Sequence, residues 1–280
     1  MKVEIAQCSG FCFGVKRAIG IAQQALTKNK GKPVYSLGYI IHNSQVVEGL
    51  AKEGLMSVKD LSGVKEGVVV VSSHGASPEV FDEIKDKGLE LVDATCPYVM
   101  SAQKIVSSLA QEGYLVLILG DKNHPEVKSL VGFARGKAIV IKDVDELKKV
   151  ELPLRKVGLV SQTTQLMENF SKVISEVLKK EPLEFRVFNT ICNDTKKRQE
   201  SAAKLAKDSD VMIIVGGKIS ANTKRLFEIC SGICGLSHHI ETAAELKQEW
   251  FKNKESVGIA SGASTPDWII NEIRKGIYIK

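Results

Sequence analysis

The chain has 280 residues, of which 44% are hydrophobic and 26% are charged, so it is long enough for two or three compact units with ordinary cores. Its longest apolar runs, such as Val68–Val71, have only the length of a strand, which predicts that no segment crosses a membrane. The formal net charge of +6, with no basic stripe interleaved with aromatic residues, excludes nucleic acid as the expected partner and favours an anionic small molecule or an acidic protein.

The start of the chain and its cysteine content predict a cytoplasmic protein. Residues 1–6 have neither the apolar segment of a secretory signal nor the arginine- and serine-rich composition of a transit peptide. The chain contains six cysteines. In a cytoplasmic chain of this length, cysteines favour metal or catalytic chemistry over a disulfide framework.

The first third of the chain alternates short apolar runs with polar loops and helical patterns. Cys12 lies where a loop passes into a helical pattern, and His42 and His74 each lie in a polar loop that follows a strand. The last strand of this part leads to Cys96. Pro97 favours a helix start there, because its missing N–H would be unpaired at that position anyway. The predicted strands are residues 34–37, 68–71 and 89–92.

The same order of elements returns after Cys96. A helical pattern and a strand lead to a loop that contains His124 and Glu126, and a later strand leads to a loop that contains Thr163. The final strand of this part leads to Cys192. The predicted strands are residues 115–119, 138–141, 157–160 and 185–188.

The same order of strands, loops and helices occurs a third time after Cys192. Asp194 or Thr195 is predicted to cap a helix. The strand over residues 211–215 then runs into a loop that contains Ser220 and Asn222, and the strand over residues 257–260 runs into a loop that contains Ser264. A last helical pattern ends the chain.

This threefold repeat predicts an α/β fold of three related modules. Each module is expected to have a small, mostly parallel sheet with crossover helices, and the three are expected to surround one shared centre. The predicted modules are residues 1–95, which include an N-terminal strand, residues 96–191 and residues 192–280. Ligands of open α/β sheets bind at the carboxyl ends of the strands, so the three cysteines and the polar loops are expected to converge on one cavity.

The cysteines divide into candidate ligands and candidate core residues. Cys12, Cys96 and Cys192 hold the same place in each repeat, which favours a metal ligand over a small buried hydrophobe. Cys230 and Cys234 lie four residues apart with little polar company and are expected in the core. Three thiolates without a C-x-x-C pair suit an iron–sulfur cluster better than zinc. A cubane cluster normally takes four thiolates, so three would leave one iron able to act as a Lewis acid.

The histidines and hydroxyl residues of the loops predict an anion site. A single histidine is more often structural than functional, but three of the five lie at equivalent strand-to-helix loops, whereas residues 238–239 lie in a less regular segment. Helix N-termini add further N–H donors, which together would bind phosphate or diphosphate. No P-loop or G-x-G-x-x-G follows a strand, so a nucleotide is not expected. The donors are His42, His74, His124, Ser220, Asn222 and Ser264.

Glu126 is the candidate proton donor, because an anionic cavity would disfavour its charged form and keep it protonated. The alternative is an acid that only stabilises the first turn of the next helix. Thr163 and Thr164 are candidates either to relay the proton or to cap a helix. The basic residues at 16–17 and 196–198 could neutralise the anionic centre or receive an acidic electron carrier, although a solvated face is the favoured explanation.

A set of motifs occurs in order along the chain: Gly10-Phe-Cys-Phe-Gly-Val-Lys-Arg-Ala18, His42-Asn43, Ser73-His-Gly75, Asp93-Ala-Thr-Cys-Pro97, His124-Pro-Glu126, Gln162-Thr-Thr164, Ser220-Ala-Asn222 and Gly262-Ala-Ser264. Over essentially its whole length, the chain resembles the 4-hydroxy-3-methylbut-2-enyl diphosphate reductases of the non-mevalonate isoprenoid pathway.

The resemblance implies a trefoil of three α/β modules around a central [4Fe–4S] cluster. Cys12, Cys96 and Cys192 would hold the cluster and leave one iron without a protein ligand. The implied reaction removes the allylic hydroxyl group with two electrons and yields isopentenyl and dimethylallyl diphosphate. The electrons would come from a donor of the ferredoxin or flavodoxin type, and Glu126 would donate the proton.

The resemblance also implies which residues surround the substrate. Thr163 would lie near the hydroxyl group. Ala221 departs from the family, which often has a second serine there, so a backbone contact survives but a side-chain hydroxyl contact cannot. The implied substrate-binding residues are His42, His74, His124, Thr163, Ser220, Ala221, Asn222 and Ser264.

Two other functions fit the same residues. A dehydratase, or a condensing enzyme of the threefold quinolinate synthase type, would use the open iron without redox chemistry and would be active without a reductant. An iron–sulfur electron carrier or redox sensor would tolerate a fully ligated, buried cluster. It would not need the cradle of histidine, serine and asparagine side chains.

Overall fold

The structure is a computed structural model that describes residues 1–152 and 156–279. Short strands alternate with helices along the chain, as the repeat predicts. The strands are β1 (Lys2–Ile5), β2 (Val34–Leu37), β3 (Leu55–Val58), β4 (Val68–Val71), β5 (Glu90–Asp93), β6 (Leu115–Leu119), β7 (Ala138–Ile141), β8 (Lys156–Ser161), β9 (Glu184–Val187), β10 (Val211–Val215), β11 (Ser237–Ile240) and β12 (Ser256–Ser261).

Helices follow most of these strands. They are α1 (Phe13–Lys28), α2 (Ser44–Lys52), α3 (Pro78–Asp86), α4 (Pro97–Gln111), α5 (Pro125–Phe133), α6 (Val144–Lys148), α7 (Met167–Leu178), α8 (Asn193–Lys207), α9 (Ala221–Ser231) and α10 (Asp267–Ile279), with short 3₁₀ turns at Ala243–Glu245 and Gln248–Phe251. Within the described ranges, no helix has both the length and the apolar character that spanning a membrane requires.

The described strands form three four-stranded sheets. Their strand orders are β3-β2-β4-β5, β7-β6-β8-β9 and β1-β12-β10-β11, and every pairing in them is parallel. Parallel strands need crossover connections, which the helices supply. The predicted α/β class with small parallel sheets is therefore confirmed.

The chain divides into two compact units. We call the first the terminal unit, because it contains Met1–Val15, His42–Val46 and Asn193–Lys280. The second, the middle unit, contains Lys16–Ile41 and Val47–Cys192. The module boundaries at residues 95 and 191 stay a prediction.

The sheet of the terminal unit joins both ends of the chain. Strand β1 pairs with β12 in a register that sets Val3 opposite Val257. The N-terminal strand therefore belongs to the sheet of the C-terminal strands and not to the sheet of β2 to β5. The physical reason is burial, because Val3 packs into an apolar core with Val257 and Ile259. Helices α8, α9 and α10 contact this sheet.

The middle unit contains the other two sheets. All four valines of β4 are buried. Helix α4 begins directly after the β5 connection and packs against β6 and β8 of the next sheet. Helix α4 approaches strand β8 closely, because a Cβ atom at Gly158 would lie 2.6 Å from Leu109 Cδ1. Helices α3 and α5 also contact each other.

Proline sets the start of three helices of the middle unit. Pro78, Pro97 and Pro125 each occupy the first turn of a helix, as predicted for Pro97. The residue before such a proline takes an extended conformation, and Cys96 and His124 accordingly occupy N-cap positions.

Two local predictions are wrong. Helix α8 begins at Asn193, so Asp194 and Thr195 lie inside its first turn and do not cap it. Residues 238–239 were expected in an irregular segment, but they lie in β11, where His238 and His239 pair with Ile213 and Ile214 of β10. Pairing with a buried neighbouring strand overrides the weak local pattern.

Candidate functional site

Three cysteines are held in the same way at the start of a helix. Cys12 directly precedes α1, Cys96 is the N-cap of α4 and Cys192 directly precedes α8. The backbone N–H of each donates a hydrogen bond to a carbonyl in the loop that follows a parallel strand, namely β12, β4 or β8. The pairs are Cys12 to Ala263 at 3.0 Å, Cys96 to Ser73 at 3.0 Å and Cys192 to Thr163 at 2.9 Å. The predicted repeat therefore extends to the hydrogen bonding of the candidate ligands.

The cysteines differ in their surroundings. Cys12, Cys96 and Cys192 are half-buried, whereas Cys230 and Cys234 are buried in an apolar cluster, as predicted. Burial raises the pKa of Cys230 to about 12, which disfavours a thiolate ligand there. Cys12, Cys96 and Cys192 are partly exposed and lie at a helix N-terminus, whose dipole favours a thiolate. These three side chains are therefore suited to bind a metal or a metal cluster through sulfur.

A buried arginine fixes the loop before Cys12 in the terminal unit. The Arg198 guanidinium donates to the carbonyl oxygens of Cys8 and Ser261, both at 3.1 Å, and forms an ion pair with Asp194 at 3.2 Å. The expectation of a solvated basic face at residues 196–198 is therefore wrong for Arg198, which is buried. Its four-residue spacing from Asp194 is the sequence signal that could have indicated an ion pair.

Cys12 itself lies in a mixed electrostatic environment. Burial raises the pKa of its thiol, while the N–H of Val15, at 3.4 Å from Sγ, and the positive charge of Arg198 oppose that rise. The negative charge of Asp194 acts in the same direction as burial. Arg198 therefore both orders the loop and favours the thiolate at Cys12.

The terminal unit brings four predicted anion-binding residues together. Ser264 Oγ donates to the carbonyl of His42 at 3.0 Å. A Cβ atom at Gly217 would lie 2.6 Å from the same carbonyl oxygen, so the loop that leads to Ser220 also lies against His42. Ser220 is the N-cap of α9 and accepts a hydrogen bond from the N–H of Thr223. The N-terminus of α9 therefore lies beside His42 and Ser264.

Asn222 and His42 are both uncharged polar side chains near pH 7. The Asn222 side chain is 4% exposed, and neither its Oδ1 nor its Nδ2 has a hydrogen-bond partner among the described residues. Burial, together with the charge of Lys224, lowers the pKa of His42 to about 4. His42 is therefore neutral near pH 7 and can act there as a neutral hydrogen-bonding group.

The middle unit brings together two other predicted histidines. The rings of His74 and His124 meet edge to face, with 5.4 Å between their centroids. As the N-cap of α5, His124 accepts a hydrogen bond from the N–H of Glu126 at Nδ1, at 3.2 Å. When His124 is neutral, its ring proton is therefore on Nε2.

Glu126 lies in a closed, hydrogen-bonded environment. Its side chain is 2% exposed, and Thr163 binds both carboxylate oxygens. The N–H of Thr163 donates to Oε1 at 2.6 Å, and its hydroxyl donates to Oε2 at 2.8 Å. Burial raises the pKa of Glu126 to about 7, although these two hydrogen bonds oppose the shift. A carboxyl group with this pKa is suited to donate a proton near neutral pH.

Thr163 links the candidate acid to a candidate ligand. Its N–H and hydroxyl contact Glu126, while its carbonyl accepts the N–H of Cys192. The contacts of Glu126 therefore run to Thr163 and not only to the start of its own helix, which favours the predicted role in proton transfer over a stabilising role in the first turn.

Comparisons with known proteins identify the family of this chain. A family model described as LytB protein matches residues 3–278. A 4-hydroxy-3-methylbut-2-enyl diphosphate reductase of Campylobacter hominis is 49% identical over 279 residues, which are 99% of this chain and 98% of the relative. The reductase of Aquifex aeolicus is 46% identical over 276 residues, covering 98% of this chain and 94% of the relative.

Two solved structures are similar over nearly the whole chain. One is an (E)-4-hydroxy-3-methyl-but-2-enyl diphosphate reductase, the terminal enzyme of the non-mevalonate pathway, with a TM-score of 0.72, 45% identity and full coverage of both chains. The other is the E-1-hydroxy-2-methyl-but-2-enyl-4-diphosphate reductase from Plasmodium falciparum. It has a TM-score of 0.92 and 30% identity, and the match covers 99% of this chain and 87% of that one.

Proposed function

This chain belongs to the LytB family, and we propose that it reduces 4-hydroxy-3-methylbut-2-enyl diphosphate to isopentenyl and dimethylallyl diphosphate, the last step of the non-mevalonate isoprenoid pathway. The chain is then an oxidoreductase, as the relatives and the solved structures are named. The observation that carries the chemical part of the proposal is the buried Glu126, which Thr163 contacts at both carboxylate oxygens and whose pKa is raised by burial to about 7; both features support a role as proton donor.

We further propose that Cys12, Cys96 and Cys192 are the protein ligands of a [4Fe–4S] cluster. In support, these are the half-buried cysteines at helix starts, and each has its backbone fixed by a loop carbonyl. When bound, such a cluster supplies electrons and, at the iron that no protein ligand holds, a Lewis acid for the substrate hydroxyl. A donor of the ferredoxin or flavodoxin type would deliver the electrons.

The hydrogen bonds of Glu126 define a route for its proton. Oε1 always accepts from the N–H of Thr163, so an added proton binds at Oε2. Protonated Oε2 then donates to the Thr163 hydroxyl, which reverses the bond seen for the charged form. The hydroxyl proton of Thr163 becomes available to the substrate hydroxyl group. With the two electrons that a bound cluster would supply, the C–O bond could then break with loss of water, and a second proton would add to the allyl carbon.

The substrate diphosphate would bind at the N-terminus of α9. There the backbone N–H groups, the helix dipole and the Asn222 amide all offer favourable interactions to an anion. At Ala221 only the backbone N–H can contribute. The proposed substrate-binding residues are His42, His74, His124, Thr163, Ser220, Ala221, Asn222 and Ser264.

The variant Asn222→Leu should raise KM for the diphosphate substrate about tenfold or more and leave the melting temperature unchanged or higher. The reason is that a buried, unpaired amide costs roughly 1–3 kcal/mol of stability, which Leu removes along with the hydrogen bonds to the substrate. Steady-state kinetics and thermal unfolding of the same preparations measure both effects.

Asn169→Leu is the matched control for that variant. Asn169 also lies in the first turn of a helix, but its amide donates to the carbonyl of Lys142 at 3.3 Å. This variant should keep the wild-type KM and lose a little stability. An equal KM in the two variants would contradict the proposed role of Asn222.

An anaerobic assay tests the proposed function as a whole. The purified protein, with its iron and sulfide restored, is mixed with the allylic diphosphate and either reduced ferredoxin or a low-potential dye, and the products are identified by mass. Isopentenyl and dimethylallyl diphosphate should form only when the reductant is present. Turnover without a reductant would indicate a dehydratase, and reduction of the protein without turnover would indicate an electron carrier. Either result would overturn the proposal.

A further inference from the structure

Two buried polar side chains connect three functional elements of the middle unit. Gln103 of α4 is 6% exposed and Ser129 of α5 is 1% exposed. Gln103 Nε2 donates to Ser129 Oγ at 2.7 Å, and Ser129 Oγ donates to the carbonyl of Ala76 at 2.9 Å. Neither Gln103 nor Ser129 belongs to a motif on which the family resemblance is based.

The three connected elements are the ones that carry site residues. Helix α4 begins after Cys96, helix α5 begins after His124, and Ala76 lies two residues after His74 in the loop between β4 and α3. One short chain of hydrogen bonds therefore joins the elements that carry a candidate ligand and two candidate substrate-binding histidines.

The direction of this chain is fixed. The Ser129 hydroxyl has one proton, and the carbonyl of Ala76 can only accept it. Ser129 must therefore accept its other hydrogen bond, and the Gln103 amide is the donor that supplies it. Because both side chains are buried, loss of either bond leaves a polar group unpaired in the interior.

The loop that carries His74 lies directly on this pair. Gly75 has a φ of +75°, and a Cβ atom there would collide with Gln103 Nε2 and lie 3.3 Å from Ser129 Oγ. Only glycine allows the loop to approach so closely. A change at Gln103 or Ser129 therefore acts on the residue beside His74.

We propose that Gln103 and Ser129 are positioning residues for the reaction. They hold the His74 loop against α5, and so they fix the edge-to-face arrangement of His74 and His124 in which the two rings meet the substrate. The inference rests on the proposed function for its kinetic consequence, but the arrangement of the two rings can be measured without it.

The test compares two substitutions in one helix. Gln103→Met keeps the length of the side chain but cannot donate, so His74 should shift and kcat/KM should fall roughly tenfold to a hundredfold. Gln111→Met is the matched control, because Gln111 ends α4, is exposed and donates to Ser107 at 3.4 Å. It should stay within twofold of the wild type. Ser129→Ala, with Ser107→Ala as its control, provides a second pair if Gln103→Met folds poorly.

A double-mutant cycle separates positioning from a general loss of structure. If Gln103 acts through His74, the change Gln103→Met should have little further effect on kcat/KM in a His74→Asn background. The inference would be overturned if the double variant lost kcat/KM by the product of the two single-variant factors. It would also be overturned if Gln103→Met lost no more kcat/KM than Gln111→Met.

The imidazole NMR signals of His74 give a readout that needs no turnover. They are assigned by comparison with His74→Asn and should move in Gln103→Met but not in Gln111→Met. If the wild-type protein had no reductase activity, the proposed function would be contradicted. The positioning role of Gln103 and Ser129 could still be tested, because the His74 signals do not depend on turnover. Signals of His74 that stay unmoved in Gln103→Met would overturn it.

Discussion

The Cys96→Ser protein should contain less iron and inorganic sulfide than the wild type after anaerobic purification, and its turnover should fall by more than about a hundredfold. Changes to residues that only support metal ligands already cost about 10-fold to 100-fold, so loss of a ligand should cost more. Serine does not supply a thiolate, but the N–H of residue 96 can still donate to the Ser73 carbonyl, so the fold should persist. Iron and sulfide analysis, the visible absorption spectrum and thermal unfolding measure these effects.

Cys230→Ser is the matched control and should show the opposite pattern. Cys230 is buried in an apolar cluster of the terminal unit, where a hydroxyl group without a partner costs roughly 1–3 kcal/mol of stability. This variant should keep its iron and lose melting temperature. A Cys96→Ser protein with the iron content of Cys230→Ser would show that Cys96 is not a ligand.

The second large effect is expected for Glu126→Gln, which should lower kcat by about a hundredfold to ten-thousandfold with a small change in KM. Glutamine keeps the shape of the side chain and can still accept the Thr163 N–H, but its amide is not acidic and cannot transfer a proton to the Thr163 hydroxyl. Glu146→Gln is the control, because Glu146 lies in the first turn of α6 and accepts the backbone N–H of Lys142 at the surface. Near-normal kcat in Glu126→Gln would rule out Glu126 as the acid.

The pKa of Glu126 also predicts how stability depends on pH. Burial raises this pKa from 4.5 to about 7 in the folded protein, so between these two pH values the folded state binds more protons than the unfolded state. The free energy of unfolding of the wild type should therefore fall as pH rises through this window, by roughly 3 kcal/mol from this group. Glu126→Gln should lack this fall. The free energy of unfolding of both proteins is measured by urea titration from pH 4.5 to 7.5. The same pH dependence in the two proteins would contradict the raised pKa of Glu126.

Several strands could be predicted from the sequence, because they are short, mostly apolar runs that end at turn residues. The strands whose bounds match the predictions are Val34–Leu37, Val68–Val71, Leu115–Leu119, Ala138–Ile141 and Val211–Val215. The sequence does not predict β3 or β11. Both lie at a sheet edge, where one neighbour is missing and a long apolar run is not needed. The N-terminal strand was predicted, but its partner β12 lies at the other end of the chain and no local pattern identifies such a pairing.

The candidate site was predictable where the residues repeat. Cys12, Cys96 and Cys192 are recognisable because each lies directly before a helix at the same place in the repeat, and the shared N–H contacts give that repeat a physical basis. Gln103 was missed, although it shares the buried face of α4 with Val99 and could have been noticed as a polar residue at a core position. Its partner comes from another helix, which spacing along one helix cannot reveal.

The pairing of β1 with β12 has a consequence for synthesis on the ribosome. The strands of the middle unit have all been translated once Val187 is made, so this unit can fold while the chain still grows. Strand β1 must wait, since its partner Ser256–Ser261 and the carbonyl of Ala263 are translated only after the whole middle unit. Cys12 therefore becomes fully ordered only after the chain has been made as far as Ala263.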